Sequence, residues 1–167
     1  YISYLNKENQ WMEPQNLGSA INTSKDEETP FLHADGRTLY FSSNGHPTVG
    51  TRDLYVARLS DDGIWSTPMN LGYPINSEGD ESSIYVALDG KSVFVSSDRS
   101  DGQGKLDIYE FTLNDSIQAS SASYVKAIVR DAKSKQLLDV HYNIYDFNHQ
   151  KLFAQGRTFS NGDFLIC

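Results

Sequence analysis

Pro30-Phe31-Leu32-His33-Ala34-Asp35-Gly36-Arg37-Thr38-Leu39-Tyr40-Phe41-Ser42-Ser43 is the stretch on which the fold turns. Apolar residues flank Asp35-Gly36 on both sides, the layout of two strands joined by a tight turn in which glycine takes a positive φ. The same layout returns 54 residues later, where Asp89-Gly90 and Ser96-Ser97 answer Asp35-Gly36 and Ser42-Ser43. The match extends without a gap from Trp11–Leu59 onto Trp65–Leu113. Asn16-Leu17-Gly18 falls on Asn70-Leu71-Gly72, Ile21-Asn22 on Ile75-Asn76, Asp26-Glu27 on Asp80-Glu81, and Asp53-Leu54-Tyr55 on Asp107-Ile108-Tyr109.

A repeat of this length holding several short strands predicts propeller-type blades, each of which buries its faces against its neighbours. Within a copy, strands are expected at 28–34, 38–43, 53–59 and about 65–71, and again at 82–88, 92–97 and 107–113. Tyr1–Gln10 lies opposite Tyr55–Ile64, so the opening residues read as the end of a further copy and the array is expected to begin before them. Blades are placed at about 1–17, 18–71 and 72–113. The Ser- and Ala-rich run 114–123 reads as a linker. Short alternating strands follow over 124–167, with Asn161-Gly162 as a hairpin signal, and suggest an incomplete β-sandwich. The expected class is all-β: a partial β-propeller of 54-residue period followed by a truncated β-sandwich.

Ten Tyr, eight Phe and the absence of a helical apolar stripe agree with a β-rich chain. The formal net charge of -8 and scattered Lys and Arg argue against nucleic acid and against an anionic membrane surface. No stretch resembles a membrane span, so no direct insertion by this segment is expected. Cys167 is the single cysteine, so neither an internal disulfide nor a zinc spacing can be built.

The repeat carries Asp-Glu at 26–27, Pro-x-x-x-x-Asp-Gly-x-x-Leu-Tyr-Phe-Ser-Ser at 30–43 and Asp-Leu-Tyr at 53–55; it resembles the WD40-like PD40 repeat of TolB-type propellers. Val129-Arg130-Asp131-Ala132 and Asn161-Gly162-Asp163-Phe164-Leu165 resemble the carboxypeptidase-regulatory-like sandwich. In this order the pair is similar to the middle of OmpA-family outer-membrane-associated proteins of Bacteroidota. There, helical TPR repeats precede the propeller and a peptidoglycan-binding domain follows the sandwich, and one group links the type IX secretion system to the cell wall. The resemblance implies a non-catalytic scaffold in the periplasm, associated with the outer membrane and binding protein partners of the cell envelope. It implies contact with peptidoglycan only through domains outside this segment, and no cofactor.

Each candidate site has two readings. Asp26, Glu27, Asp80 and Glu81 open the first strand of their copies, where a ring of carboxylates could hold a hard cation; alternatively they accept backbone N–H groups and serve the fold. Asp53 and Asp107 suit bonding into the preceding loop. The excursions 44–52 and 98–106 correspond in position and differ in chemistry, which makes His46, Pro47, Thr48 and Val49, with Asp101 and Gln103, candidates for partner binding on one rim. Ser116, in Asp115-Ser116-Ile117, fits the Asp-Ser/Thr-apolar O-glycosylation sequon of the bacterial group named above.

For catalysis, the chain has no Gly-x-Ser-x-Gly turn, and His33, His46, His141 and His149 fall in different elements without metal spacing. His33 replaces Ala87 of the other copy and is the histidine placed to face a channel. Two alternative functions stay open. One is an accessory propeller of a peptidase, which would continue into an α/β-hydrolase domain. The other is a glycan-binding module with Tyr40 or Tyr85 as an aromatic platform.

Overall fold

The computed structural model describes residues 1–6, 8, 10–146, 148 and 151–166. Two of the side chains singled out in the sequence, His149 and Cys167, lie outside the described residues. The described chain is all-β, with no helix, and forms several small antiparallel sheets. It divides into two compact units, 1–122 and 123–167.

In the first unit β1 (Glu27–Leu32), β2 (Thr38–Ser43), β3 (Asp53–Arg58) and β4 (Met69–Asn70) form one sheet in chain order. The next sheet, β5 (Glu81–Val86), β6 (Ser92–Ser97) and β7 (Asp107–Thr112), repeats the first three strands. Registers match across the copies: Phe31↔Tyr40↔Val56 in one is Tyr85↔Phe94↔Glu110 in the other. Both first strands carry a bulge near the same place, between Glu28 and Phe31 and between Glu81 and Ser83. The turn glycines Gly36 and Gly90 take φ of 70° and 74°. In each, the preceding aspartate caps the turn: Asp35 accepts Thr38 N–H and Thr38 Oγ1, and Asp89 accepts Ser92 N–H and Ser92 Oγ.

The opening residues follow the same template. Ile2 bridges Gln15 and Leu5 bridges Trp11, at the positions where Val56 meets Met69 and Leu59 meets Trp65. The fourth strand is shorter than expected: only Met69 and Asn70 form a ladder, with Leu59↔Trp65 as an isolated bridge. Pro68 lies between these two pairings, and a proline has no N–H to give a ladder.

The two sheets share a core because alternation splits each strand into two apolar faces. Tyr40, Leu54 and Val56 on one face of the first sheet pack against Ile84, Val86, Val93 and Val95 of the second. The opposite face of the first sheet, Leu39, Phe41, Tyr55 and Ala57, packs with Leu17, Ile21 and Trp65. Arg52 is the polar tie between copies. Its Nε and Nη2 bind Asp80 Oδ1 and Oδ2 at 2.9 and 3.0 Å, and its Nη1 reaches Glu28.

The run 114–122 differs from a flexible linker. Ile117 and Ala119 are 2% and 5% exposed and belong to the shared core. Ala119 N–H and Ala122 N–H bond Gly90 O and Leu88 O, Tyr40 OH bonds Ile117 O at 2.7 Å, and Arg58 Nη2 holds the carbonyls of Ser116 and Gln118. Serine- and alanine-rich composition concealed Ile117 and Ala119, two apolar residues that join the core.

In the second unit β8 (Val125–Ile128) pairs with β11 (Asp163–Ile166), and β9 (His141–Tyr145) with β10 (Leu152–Arg157). Asn161-Gly162 does turn, with Gly162 at φ 74°, but it joins strands of two different sheets rather than a ladder pair. Tyr142 and Phe164 stack between those sheets at 4.5 Å.

Candidate functional site

The acidic pairs resolve into two separate jobs. Glu81 is fully buried; Oε2 accepts Ser77 N–H, Oε1 accepts Ser77 Oγ and Ser97 Oγ at 2.6 and 2.7 Å, and Arg99 Nη2 stands 3.6 Å away. Glu27 repeats this with Thr23 N–H, Thr23 Oγ1 and Ser43 Oγ. These carboxylates close the loop before the first strand onto the end of the second. Asp80 instead faces Arg52, whose pKa it raises above the ordinary guanidinium value chiefly through their hydrogen bond. Asp26, its counterpart, is exposed. Among the described residues no group of three or more His, Cys, Asp or Glu side chains is arranged to hold a metal ion.

Asp53 and Asp107 hold the rim loops by the main chain. Asp53 accepts the N–H groups of Val49 and Gly50, and Asp107 those of Gln103 and Gly104. Gly79 lies close to both loops. Thr51 N–H bonds Gly79 O, a Cβ on Gly50 would sit 1.9 Å from Gly79 O, and one on Gly79 would sit 2.7 Å from Asp98 Oδ1.

Within the first loop the candidates point differently. His46 turns inward, with its ring 5.8 and 5.0 Å from those of Phe41 and Tyr55 and its Nε2 3.3 Å from Ile21 O. The Pro47 carbonyl is taken by Tyr55 OH and Asn70 Nδ2, and burial raises the Tyr55 pKa. Thr48 and Val49 are left outward, Val49 at 75% exposure. In the second loop Asp101 and Gln103 are exposed, with Tyr109 OH donating to Asp101 at 3.3 Å.

Ser116 is exposed, but it sits in a hydrogen-bonded turn. Its Oγ bonds Asn114 Oδ1 at 2.5 Å and its carbonyl is held by Arg58. Tyr40 is fully buried and cannot serve as a glycan platform; Tyr85 is half exposed, packed on Phe31 and Phe94.

His33 does not open onto a channel. It is 2% exposed, receives Asp35 N–H on Nδ1 and contacts Ala87 O through Nε2 at 3.0 Å. With Nδ1 accepting, the network assigns the proton to Nε2, which donates to Ala87, its own counterpart in the second copy. Asp35 beside it is pushed up by burial, but the hydrogen bonds from Arg37 N–H, Thr38 Oγ1, Thr38 N–H and Ser120 N–H outweigh that and hold its pKa below the ordinary value. The hydrogen bonds of His33 to Asp35 N–H and Ala87 O and of His46 to Ile21 O tie these rings to the main chain.

The inter-copy role of Arg52, and the role of Arg99, were not foreseen from the residue pattern. Arg99 donates to the Pro74 and Ile75 carbonyls and lies over the Tyr109 and Phe111 rings at 4.6 and 5.1 Å. Neither arginine recurs in the other copy, where Leu106 and Gly45 stand, so the repeat itself carried no signal for them. The candidate site is therefore two dissimilar loops, each held through its main chain by an aspartate of the repeated frame. The chain matches no protein-family model, no curated protein and no solved structure.

Proposed function

We propose that this chain is a non-catalytic protein-binding and scaffolding segment: blades of a PD40-type β-propeller followed by a carboxypeptidase-regulatory-like β-sandwich. We place it in the periplasm as part of an outer-membrane-associated protein, with a role beside the type IX secretion system as the specific form of the reading. The observation that carries the binding function is the contrast at the rim. Asp53 and Asp107 fix both loops through main-chain N–H groups, while the outward side chains, Thr48 and Val49 against Asp101 and Gln103, differ completely. A frame that holds loop backbones and leaves these side chains exposed suits recognition of a protein surface. The resemblance of the repeat to cell-envelope propellers supplies the location.

The test is photo-crosslinking from Val49 and Gln103 in cell-envelope preparations. Capture of one discrete protein is expected, lost when Thr48→Gly, Val49→Ser, Asp101→Gly and Gln103→Ser are combined, which keeps every main-chain bond of the loops. Capture that survives these four changes, or that is matched by a crosslinker at Tyr73 on another exposed loop, counts against the rim. Peptide or glycoside turnover by the purified chain would overturn the non-catalytic reading.

A further inference from the structure

We propose that His33 is a pH-operated catch on the strap 114–122, seating the strap while the imidazole is neutral and releasing it when the ring takes up a proton. The catch is separate from the rim loops. It joins two turns, one from each copy, that between them hold the strap.

On the first-copy side, Ser120 N–H bonds Asp35 Oδ2 at 3.0 Å, and Asp35 N–H in turn bonds His33 Nδ1 at 3.1 Å. On the second-copy side, Ala119 N–H and Ala122 N–H bond Gly90 O and Leu88 O. That turn is gripped at its base, where Ala87 O accepts Gly90 N–H at 2.9 Å and His33 Nε2–H at 3.0 Å. One ring thus touches both holders of the strap, with one nitrogen accepting and the other donating. Only a neutral imidazole can do that. The second copy has no such catch, because Ala87 stands at the place of His33.

A proton on Nδ1 turns that acceptor into a donor and sets it against Asp35 N–H. The ring is buried, so the new hydrogen needs a protein partner. The acceptor at hand is Asp35 Oδ1, 3.6 Å from Nδ1. To close on it the carboxylate must turn from its present donors, Arg37 N–H and Thr38 N–H on Oδ1, and Thr38 Oγ1 and Ser120 N–H on Oδ2. Three of these four belong to the aspartate's own turn and move with it; Ser120, 85 positions away, does not. Asp35 remains an anion throughout, because its pKa lies below the ordinary carboxylate value while histidine changes charge between about pH 5 and 8. The other charged groups on the surrounding elements are already engaged. Arg58 of β3 is bound to Thr38 Oγ1 and to the Ser116 and Gln118 carbonyls, Arg37 to Asp61, and Asp89 to the N–H groups of Lys91 and Ser92. Residues 116–122 of the strap bring no ionisable side chain of their own.

The experiment takes the whole chain from about pH 7.5 to about pH 5 and makes two readings. Imidazole nitrogen shifts follow the protonation of His33, and amide exchange, corrected for its intrinsic pH dependence, follows the strap. The amides of Ala119, Ser120 and Ala122 should lose at least about tenfold in protection over the range in which His33 takes up its proton, while the β6 amides keep theirs. In His33→Ala, which gives this place the residue of the second copy, strap protection should no longer change over that range; its β6 amides check the fold. A His33 ring still neutral at about pH 5 would overturn the proposal, as would a protonated ring beside an unchanged Ser120 amide. A strap that loosens to the same extent in His33→Ala would also overturn it, assigning the pH response to another group.

Discussion

Glu27 and Glu81 occupy the same place in the two copies and make the same three hydrogen bonds, yet Glu81 is fully buried and Glu27 is not. The network belongs to the repeat, whereas the burial comes from what lies alongside: the first sheet on one side and Arg99 on the other. Equal contacts thus carry unequal weight, because a hydrogen-bonded carboxylate removed from a dry site leaves donors that water cannot reach.

That comparison breaks most sharply at the carboxylates. Glu81→Ala strands Ser77, Ser97 and the buried Arg99 and should cost about 3–5 kcal/mol, while Glu27→Ala should cost about 1 kcal/mol. Urea unfolding of both variants measures the gap, and equal losses would show that neighbour burial is irrelevant. Next come the turn glycines. Gly36→Ala meets open space and should cost only the positive-φ strain, about 1 kcal/mol. Gly90→Ala sets a Cβ 2.2 Å from Ala119 O and should cost at least about 2 kcal/mol, since the 114–122 strap must move. Similar melting shifts for the two would mean that the strap is not seated as described.

The smallest effect is in pH. The Ser92 hydroxyl, then the Lys91 and Ser92 N–H groups, hold the exposed Asp89 carboxyl at about 2, below its ordinary 3.8. A folded-state pKa below the unfolded one stabilises above the unfolded value and is lost as pH falls through the folded value. Asp89→Asn should therefore flatten the stability profile between about pH 4 and pH 2 and leave its slope near neutrality unchanged. The test is a set of denaturant midpoints across that window.

Much of the frame was legible because a gapless period forces equivalent residues into equivalent strands. The limits of β2 and β6 follow from the residues flanking Asp35-Gly36 and Asp89-Gly90. What could not be read were contacts made between copies or far along the chain. Ile117 looked like one apolar residue in a polar run, and nothing local says that Tyr40, lying 77 positions away, donates to its carbonyl. His46 was placed on the rim from its loop position, but the Phe41 and Tyr55 rings draw it inward. Arg52 and Asp80 pair across copies, so no single-copy motif contains both. The acids at 26–27 and 80–81 were correctly singled out as recurring, and their two roles became separable only once their partners were placed.

The way Asp53 and Asp107 grip their loops has an engineering consequence. Each carboxylate takes main-chain N–H groups, at Val49 and Gly50 in one loop and at Gln103 and Gly104 in the other, so valine and glutamine are interchangeable to the clamp. At positions 49 and 103 proline, which has no such hydrogen to offer, is barred, and at Gly50 any Cβ would meet Gly79 O at 1.9 Å. Positions 48, 49, 101 and 103 are thereby suited to randomisation in a display library, with the anchoring aspartates, Gly50 and the barred imino acid as the grammar that every member must obey.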